Sequence, residues 1–189
     1  MRIVGGTWRG RALASVGKGD PAHHLRPTTD RVRESLFNML AHRADKPLEG
    51  ARILDLFAGT GALGLEALSR GGTSATFVES GRKGVALIAR NIETLDAADR
   101  TALVTRDATR LTKGTPHDLV FLDPPYGKGL GRRALESAVK GGWISPGALI
   151  VWEEAEVQQA PDGFLPDDAR SFGQTHVTLL RFGDAPQPD

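Results

Sequence analysis

Two short stretches of this 189-residue chain combine residue types that can do chemistry. The first is Asp55-Leu56-Phe57-Ala58-Gly59-Thr60-Gly61-Ala62-Leu63-Gly64. Gly59, Gly61 and Gly64 satisfy the G-x-G-x-x-G spacing that brings backbone close to a cofactor between a strand and a helix. Glu79 follows 18 residues after Gly61, where an acid can take ribose hydroxyls. These features alone admit a nicotinamide dinucleotide. Asp55 argues for another ligand. A carboxylate beside the loop repels a pyrophosphate and favours positive charge, such as the sulfonium and α-ammonium of S-adenosylmethionine.

The second stretch is Asp123-Pro124-Pro125-Tyr126. Two prolines fix two φ angles and supply no N–H, so the turn is stiff and its carbonyls face outward. An exocyclic nucleobase amine is a poor nucleophile because its lone pair is delocalised into the ring. Hydrogen bonds from its two N–H groups to the Asp123 carboxylate and the Pro124 carbonyl would orient it and favour the positive charge that builds on nitrogen during methyl transfer. Tyr126 would stack on the base once it has left its helix. Taken alone the tetrapeptide also fits a proline-rich loop; its position at the end of the fourth strand, downstream of the glycine loop, favours the chemical role. Asp107-Ala108 follows another strand, where an open α/β sheet faces its ligand, and Asp107 could accept from an adenine amino group or simply make a turn.

These pieces need a scaffold of alternating strands and helices. Apolar runs predict strands over 52–57, 74–80, 101–106, 117–123 and 148–153, with helices over 62–70, 82–95 and 130–140 between them. Gly173-Gln174 between 169–172 and 175–182 signals a closing antiparallel hairpin. Before the core, residues 1–13 fit a short β-hairpin and 14–25 a loop. Val32, Leu36, Phe37 and Leu40 then mark one face of a helix that opens at Thr28, Thr29 and Asp30. The whole reads as a single α/β domain over 1–189: an extension over 1–46, a core over 51–182 and a frayed tail over 183–189.

Composition narrows the function. There are no cysteines, which excludes disulfides, thiolate metal sites and thiol nucleophiles. His23-His24 are neighbours in a loop and fit a solvated surface better than a metal site, so no metal is expected. No long apolar run predicts a membrane span or signal peptide, and a cytoplasmic location is expected. Net charge is +1, yet residues 1–43 carry +5 and the rest −4. A basic arm on an acidic body suits a polyanion docking at one end.

The motifs Asp55–Gly61 and Asp123–Tyr126 resemble those of class I S-adenosylmethionine-dependent amino-methyltransferases. Arg2–Arg11 and Arg26–Asn38 are similar to segments of the RsmD family of 16S ribosomal RNA guanine-N2 methyltransferases. That resemblance implies a Rossmann-like, seven-stranded, mainly parallel sheet with an antiparallel C-terminal hairpin and a small N-terminal hairpin and helix. It implies S-adenosylmethionine as cofactor, held by Asp55, Phe57, Gly59, Thr60, Gly61, Glu79, Ser80, Asp107 and Ala108, with Thr28 and Thr29 closing over it. Asp123, Pro124, Pro125 and Tyr126 fall to the base; family members often have Phe where this chain has Tyr126, and either ring can stack. Arg2, Trp8, Arg9, Arg11, Arg26, Arg31 and Arg33 would grip 16S rRNA in the small subunit, with the enzyme acting as a monomer. Methylation of adenine N6 or cytosine N4 is the alternative for the same motif. A non-catalytic RNA-binding or assembly factor is a second.

Overall fold

A computed structural model describes residues 1–15 and 30–183. The elements are α1 (Asp30–Ala41), β1 (Arg52–Leu56), α2 (Ala62–Ser69), β2 (Ser74–Val78), α3 (Arg82–Thr94), β3 (Thr101–Val104), β4 (His117–Leu122), α4 (Leu130–Lys140), β5 (Ile144–Glu154), β6 (Phe164–Phe172) and β7 (Thr175–Phe182). All seven strands form one sheet in the order β3-β2-β1-β4-β5-β7-β6. β1 to β5 pair in parallel, and β7 enters antiparallel between β5 and β6. Strand order reverses between β1 and β4, so their carboxyl ends flank the crevice where such sheets bind ligands. The expected Rossmann-like architecture is the observed one.

The sheet is apolar on both faces because it is covered on both. Ile53, Phe77, Phe121 and Val151 pack with Leu36, Phe37 and Leu40 of α1 and with Leu65 and Ile88 of α2 and α3. Leu54, Val120, Leu122 and Ile150 pack on the other face with Ala134, Leu135 and Ala138 of α4. Most boundaries fall within two residues of the sequence expectation, and two strand starts move by four residues or more. β5 begins four residues early, at Ile144, after a register shift near His117. β6 begins at Phe164 because it is a sheet edge, where Pro166 and a bulge toward Asp168 are tolerated and most side chains meet water.

The N-terminal hairpin is looser than expected. One bridge, Arg2 to Ala12, carries the pairing, with Ile3 N–H donating to the Arg11 carbonyl at 2.9 Å. Its stability comes from docking on α2. Val4 N–H donates to Glu66 Oε2 at 2.8 Å and Trp8 N–H to Ser69 Oγ at 2.9 Å. Gly6 adopts φ +74°, and a Cβ there would overlap the Ser69 carbonyl.

Beneath this arm lies a buried ionic group. Glu66 is fully buried and accepts from Arg70 Nε at 2.7 Å, while Arg33 Nε stands 3.6 Å from its other oxygen. Arg33 is fully buried too. It donates to the Arg2 carbonyl and to Asp30 Oδ1, the latter at 2.9 Å. The sequence reading puts Arg33 on an RNA-facing surface; the structure instead places it under the arm, because it shares a helical face with Leu36, Phe37 and Leu40. Removing one partner of such a group strands the other in a dry site. Arg33→Ala is expected to lower stability by about 3 kcal/mol in denaturant titration, whereas exposed Arg31→Ala stays within about 0.5 kcal/mol.

Candidate active site

Every parallel strand of the crevice ends in, or is followed closely by, an acid. Asp55 is the penultimate residue of β1, Glu79 follows β2, Asp107 follows β3 by three residues, Asp123 follows β4, and Glu153 and Glu154 close β5. The alternation of side chains along each strand puts Asp55, Asp123 and Glu153 on the same sheet face.

The glycine loop hangs on two of these acids. Asp55 is buried, and its Oδ2 accepts from the Gly64 N–H at 2.9 Å in the first turn of α2. A Cβ on Gly64 would strike the Phe77 ring, so the helix can approach the strand this closely only without one. Glu79 accepts from Gly59 N–H at 2.9 Å and from Gly81 N–H at 2.6 Å, and so joins the loop to the start of α3. Gly59 and Gly61 adopt φ of 58° and 75°, and Phe57 adopts 60° although it has a side chain. The backbone is strained there, which is common at ligand clamps. Thr60 is nearly buried, Ser80 exposed, and Ala108 buried behind Asp107. Asp107 caps a short 3-10 turn by accepting from Thr109 N–H and Oγ1, both at 2.8 Å. Burial alone would raise its carboxyl; the Thr109 bonds and the charges of Arg110 and Arg133 hold it below the usual range.

One linking residue carries no sequence signal. Asn91 of α3 is fully buried and donates from Nδ2 to the Thr60 carbonyl at 2.9 Å and to the Ala14 carbonyl at 3.1 Å. Its Oδ1 accepts from Ala14 N–H at 2.7 Å. A single amide therefore clamps the end of the arm to the glycine loop.

At the β4 end, Tyr126 donates its hydroxyl to Glu153 Oε1 at 3.1 Å, and Gly127 N–H bonds Glu154 Oε1 at 3.3 Å. The rigid Asp123–Tyr126 turn is thus moored to β5. Neither glutamate is among the residues expected from the sequence. The signal is there in outline: each is an acid ending an apolar strand. Burial pushes the Asp123 carboxyl well up, and the charges of Glu153, Asp55 and Glu154 push it further. Burial likewise raises Tyr126, with Glu153 and Asp123 adding to it. Asp55 is pushed up to about 8, by burial first and then by Glu79, against the Gly64 hydrogen bond that lowers it.

Such crowding says what can bind. A pyrophosphate would add negative charge to a site that already strains to hold its carboxylates, whereas a cationic ligand would relieve them. S-adenosylmethionine, with a sulfonium and an ammonium, suits the donor set; Asp55, Glu79, Asp107 and the glycine-loop backbone are the groups that would hold it.

The residues expected to meet RNA are scattered. Arg2, Arg9, Arg11 and Arg31 are exposed, although Arg2 lies 3.9 Å from Asp30 and Arg11 donates to the Thr94 carbonyl at 2.5 Å. Trp8 packs partly against the core with the Arg100 guanidinium 5.0 Å from its ring centroid. Arg26, Thr28, Thr29 and the His23-His24 pair lie outside the described residues. Among the described residues no group of three acids or histidines is arranged to hold a metal ion, and no helix is long and apolar enough to cross a membrane.

Fold and site together define a class I methyltransferase, and comparison with known proteins agrees. The family model described as "Conserved hypothetical protein 95" matches residues 1–181. The chain is 43% identical over 159 residues to ribosomal RNA small subunit methyltransferase D of Escherichia coli, covering 84% of this chain and 76% of that one. It is 37% identical to the protein of the same name from Haemophilus influenzae, covering 81% and 78%. A solved Escherichia coli chain provisionally designated a methyltransferase superposes with a TM-score of 0.81 at 39% identity, over 97% of this chain and 98% of that one. This chain belongs to the RsmD family of methyltransferases.

The Asp55 carboxyl gives a pH signature. Its proton stays on up to about pH 8 in the folded chain but leaves near pH 4 when unfolded, so its contribution to stability is present below pH 4 and lost as pH rises through 8. In ligand-free protein the thermal midpoint of Asp55→Asn should therefore gain on wild type between pH 4 and 8. Wild-type affinity for S-adenosylmethionine, measured by calorimetry, should rise about tenfold per pH unit up to about 8, and that slope should vanish in the variant.

Proposed function

We propose that this chain methylates the N2 amine of a guanine in the ribosomal RNA of the small subunit, with S-adenosylmethionine as donor. The observation that carries the choice of base is the nearness of Asp123 to Glu153: they are the next residues beyond the Leu122–Trp152 register of adjacent strands, and the Glu153 charge acts on Asp123. Guanine offers donors side by side, the N1–H and the N2 amine. Adenine and cytosine each place a ring-nitrogen acceptor beside their amine. Two neighbouring carboxylates match the first pattern and repel the second.

The cofactor, when bound, supplies a sulfonium-linked methyl group whose bonding pair stays with sulfur as the methyl leaves. The chain prepares the acceptor. Asp123 and the Pro124 carbonyl accept from the two N2–H bonds and turn the nitrogen lone pair toward the methyl group; Glu153 accepts from N1–H. Tyr126, fixed through its hydroxyl to Glu153, stacks on the extruded base. As nitrogen becomes positive, Asp123 stabilises it and takes the proton that N2 releases. The Asp123 carboxyl, raised by burial and by its acidic neighbours, acts here as the carboxylate, the form that the cationic donor and the N–H edge of the base favour. The arm, through Arg2, Arg9, Arg11, Arg31 and the exposed part of Trp8, holds RNA phosphates and orients the substrate, with Arg26 as a further phosphate contact and Thr28 and Thr29 closing over the cofactor. The chain works as a monomer in the cytoplasm.

The direct test is a nucleoside digest of small ribosomal subunits from a strain lacking this protein, after incubation with enzyme and labelled donor. N2-methylguanosine is the expected product; N6-methyladenosine, N4-methylcytidine or no label would reject the assignment. Asp123→Ala should lower the turnover rate by about 100-fold or more while RNA still binds. The base-reading role is checked with 2-aminopurine at the target, which keeps the amine but carries an acceptor at N1. Wild type should strongly prefer guanine. Glu153→Gln, which can donate to that acceptor, should narrow the ratio of kcat/KM values by about tenfold or more, a change that mere loosening of the site would not produce.

A further inference from the structure

A groove of about 790 Å³ runs along the sheet face opposite the arm, between residues 109–113 and the second half of α4. Arg110, Lys113, Arg133 and Lys140 line it, with Glu136 the one acid among its lining residues. A net +3 is therefore gathered in one cleft of a chain whose total is only +1. All four cations are exposed. None closes an ion pair with a described residue; Arg110 and Arg133 act through space on Asp107.

The floor is fixed. Leu111 N–H donates to Ser137 Oγ at 2.7 Å, the Trp143 indole N–H to the Thr112 carbonyl at 2.6 Å, and Gly114 N–H to the Gly141 carbonyl at 2.9 Å. Gly114 and Gly141 lie so close to Trp143 that a Cβ on either would run into the indole. The cations thus rise from a preformed trough, not from a loose loop. One end adjoins Asp107 at the crevice, and α4 itself begins just beyond the Asp123–Tyr126 turn. Arg133 and Lys140 are two turns apart on one helical face, about 10 Å along the axis, too far to serve a single phosphate.

We propose that this groove is a second RNA contact, a track for successive phosphates of a strand leaving the catalytic crevice on the face away from the arm. The inference rests on the RNA substrate proposed above. It compensates for the absence of Arg33 from the RNA surface by placing phosphate contacts where no sequence motif marks them. Phosphate contacts carry no sequence information, so the track should act on folded RNA of any sequence.

The test uses Lys113→Glu/Lys140→Glu, at the end of the groove away from Asp107, in the full chain. Fluorescence anisotropy with a labelled 16S rRNA fragment, and with an unrelated RNA duplex, should show binding to both weakened about tenfold or more at roughly 100 mM salt. The slope of log affinity against log salt should become shallower by about 1.5, because two phosphates are no longer neutralised. Thermal midpoint and S-adenosylmethionine affinity should match wild type. Unchanged RNA affinity and slope would overturn the proposal, as would a weakening that tracks a fall in thermal midpoint. Binding is read without turnover. Wild type that binds RNA through the groove yet makes no N2-methylguanosine would reject the proposed function and leave the track standing.

Discussion

Carboxylates held out of water must find a proton, a cation or a hydrogen-bond donor, and this fold depends on how it meets that need at the ends of its strands. Asp55 and Glu79 spend part of their acceptor capacity on backbone N–H groups of the glycine loop, and that is what shapes the loop. Asp123 is buried next to Glu153, and its carboxyl rises accordingly. Ligand binding therefore completes an electrostatic arrangement already under tension. In the proposed reaction a cationic donor would relieve the β1 side, and the donor edge of the base the β4 and β5 side. The same constraint is what the proposed choice of cofactor and of base rests on.

A second group of buried charges does a different task. Glu66, bracketed by Arg33 and Arg70, accepts from Val4 N–H, while Arg33 donates to the Arg2 carbonyl, and together they hold the arm onto α2. The Arg70 guanidinium also lies over the Phe37 ring, 5.3 Å from its centroid, which joins the ionic group to the apolar core. Replacing Glu66 would deprive both arginines of their shared buried carboxylate, and replacing Arg33 would leave that carboxylate with Arg70 alone, so the cluster specifies where the arm lies. The arm is thereby a fixed part of the domain, although its own strand pairing amounts to a single bridge.

Much of this is legible in the sequence. Continuous apolar runs mark the parallel strands, and the glycine spacing marks the loop with its left-handed backbone. What escapes does so for physical reasons. Arg33 lies at the head of the spacing 33, 36, 37 and 40, which is the buried stripe itself; a positive charge reads as surface until its buried counter-charge, 33 residues away on α2, is known. β6 lacks alternation because it is an edge strand with most side chains in water, so its first half reads as a loop. Glu153 reads as the end of a core strand, since only the register against β4 brings it beside Asp123. Asn91 lies among helical residues with no motif, and its role depends on two segments distant in sequence meeting at one side chain.

That last arrangement ties the arm to the glycine loop through one side chain. One carboxamide divides its hydrogen bonds between the arm at Ala14 and the loop at Thr60, and it is sealed from solvent, so if either segment moves away this buried amide is left with a bond that water cannot replace. Whatever order a filled loop acquires is therefore felt by the hairpin, and a partner engaged by the hairpin would return the same coupling free energy to the loop.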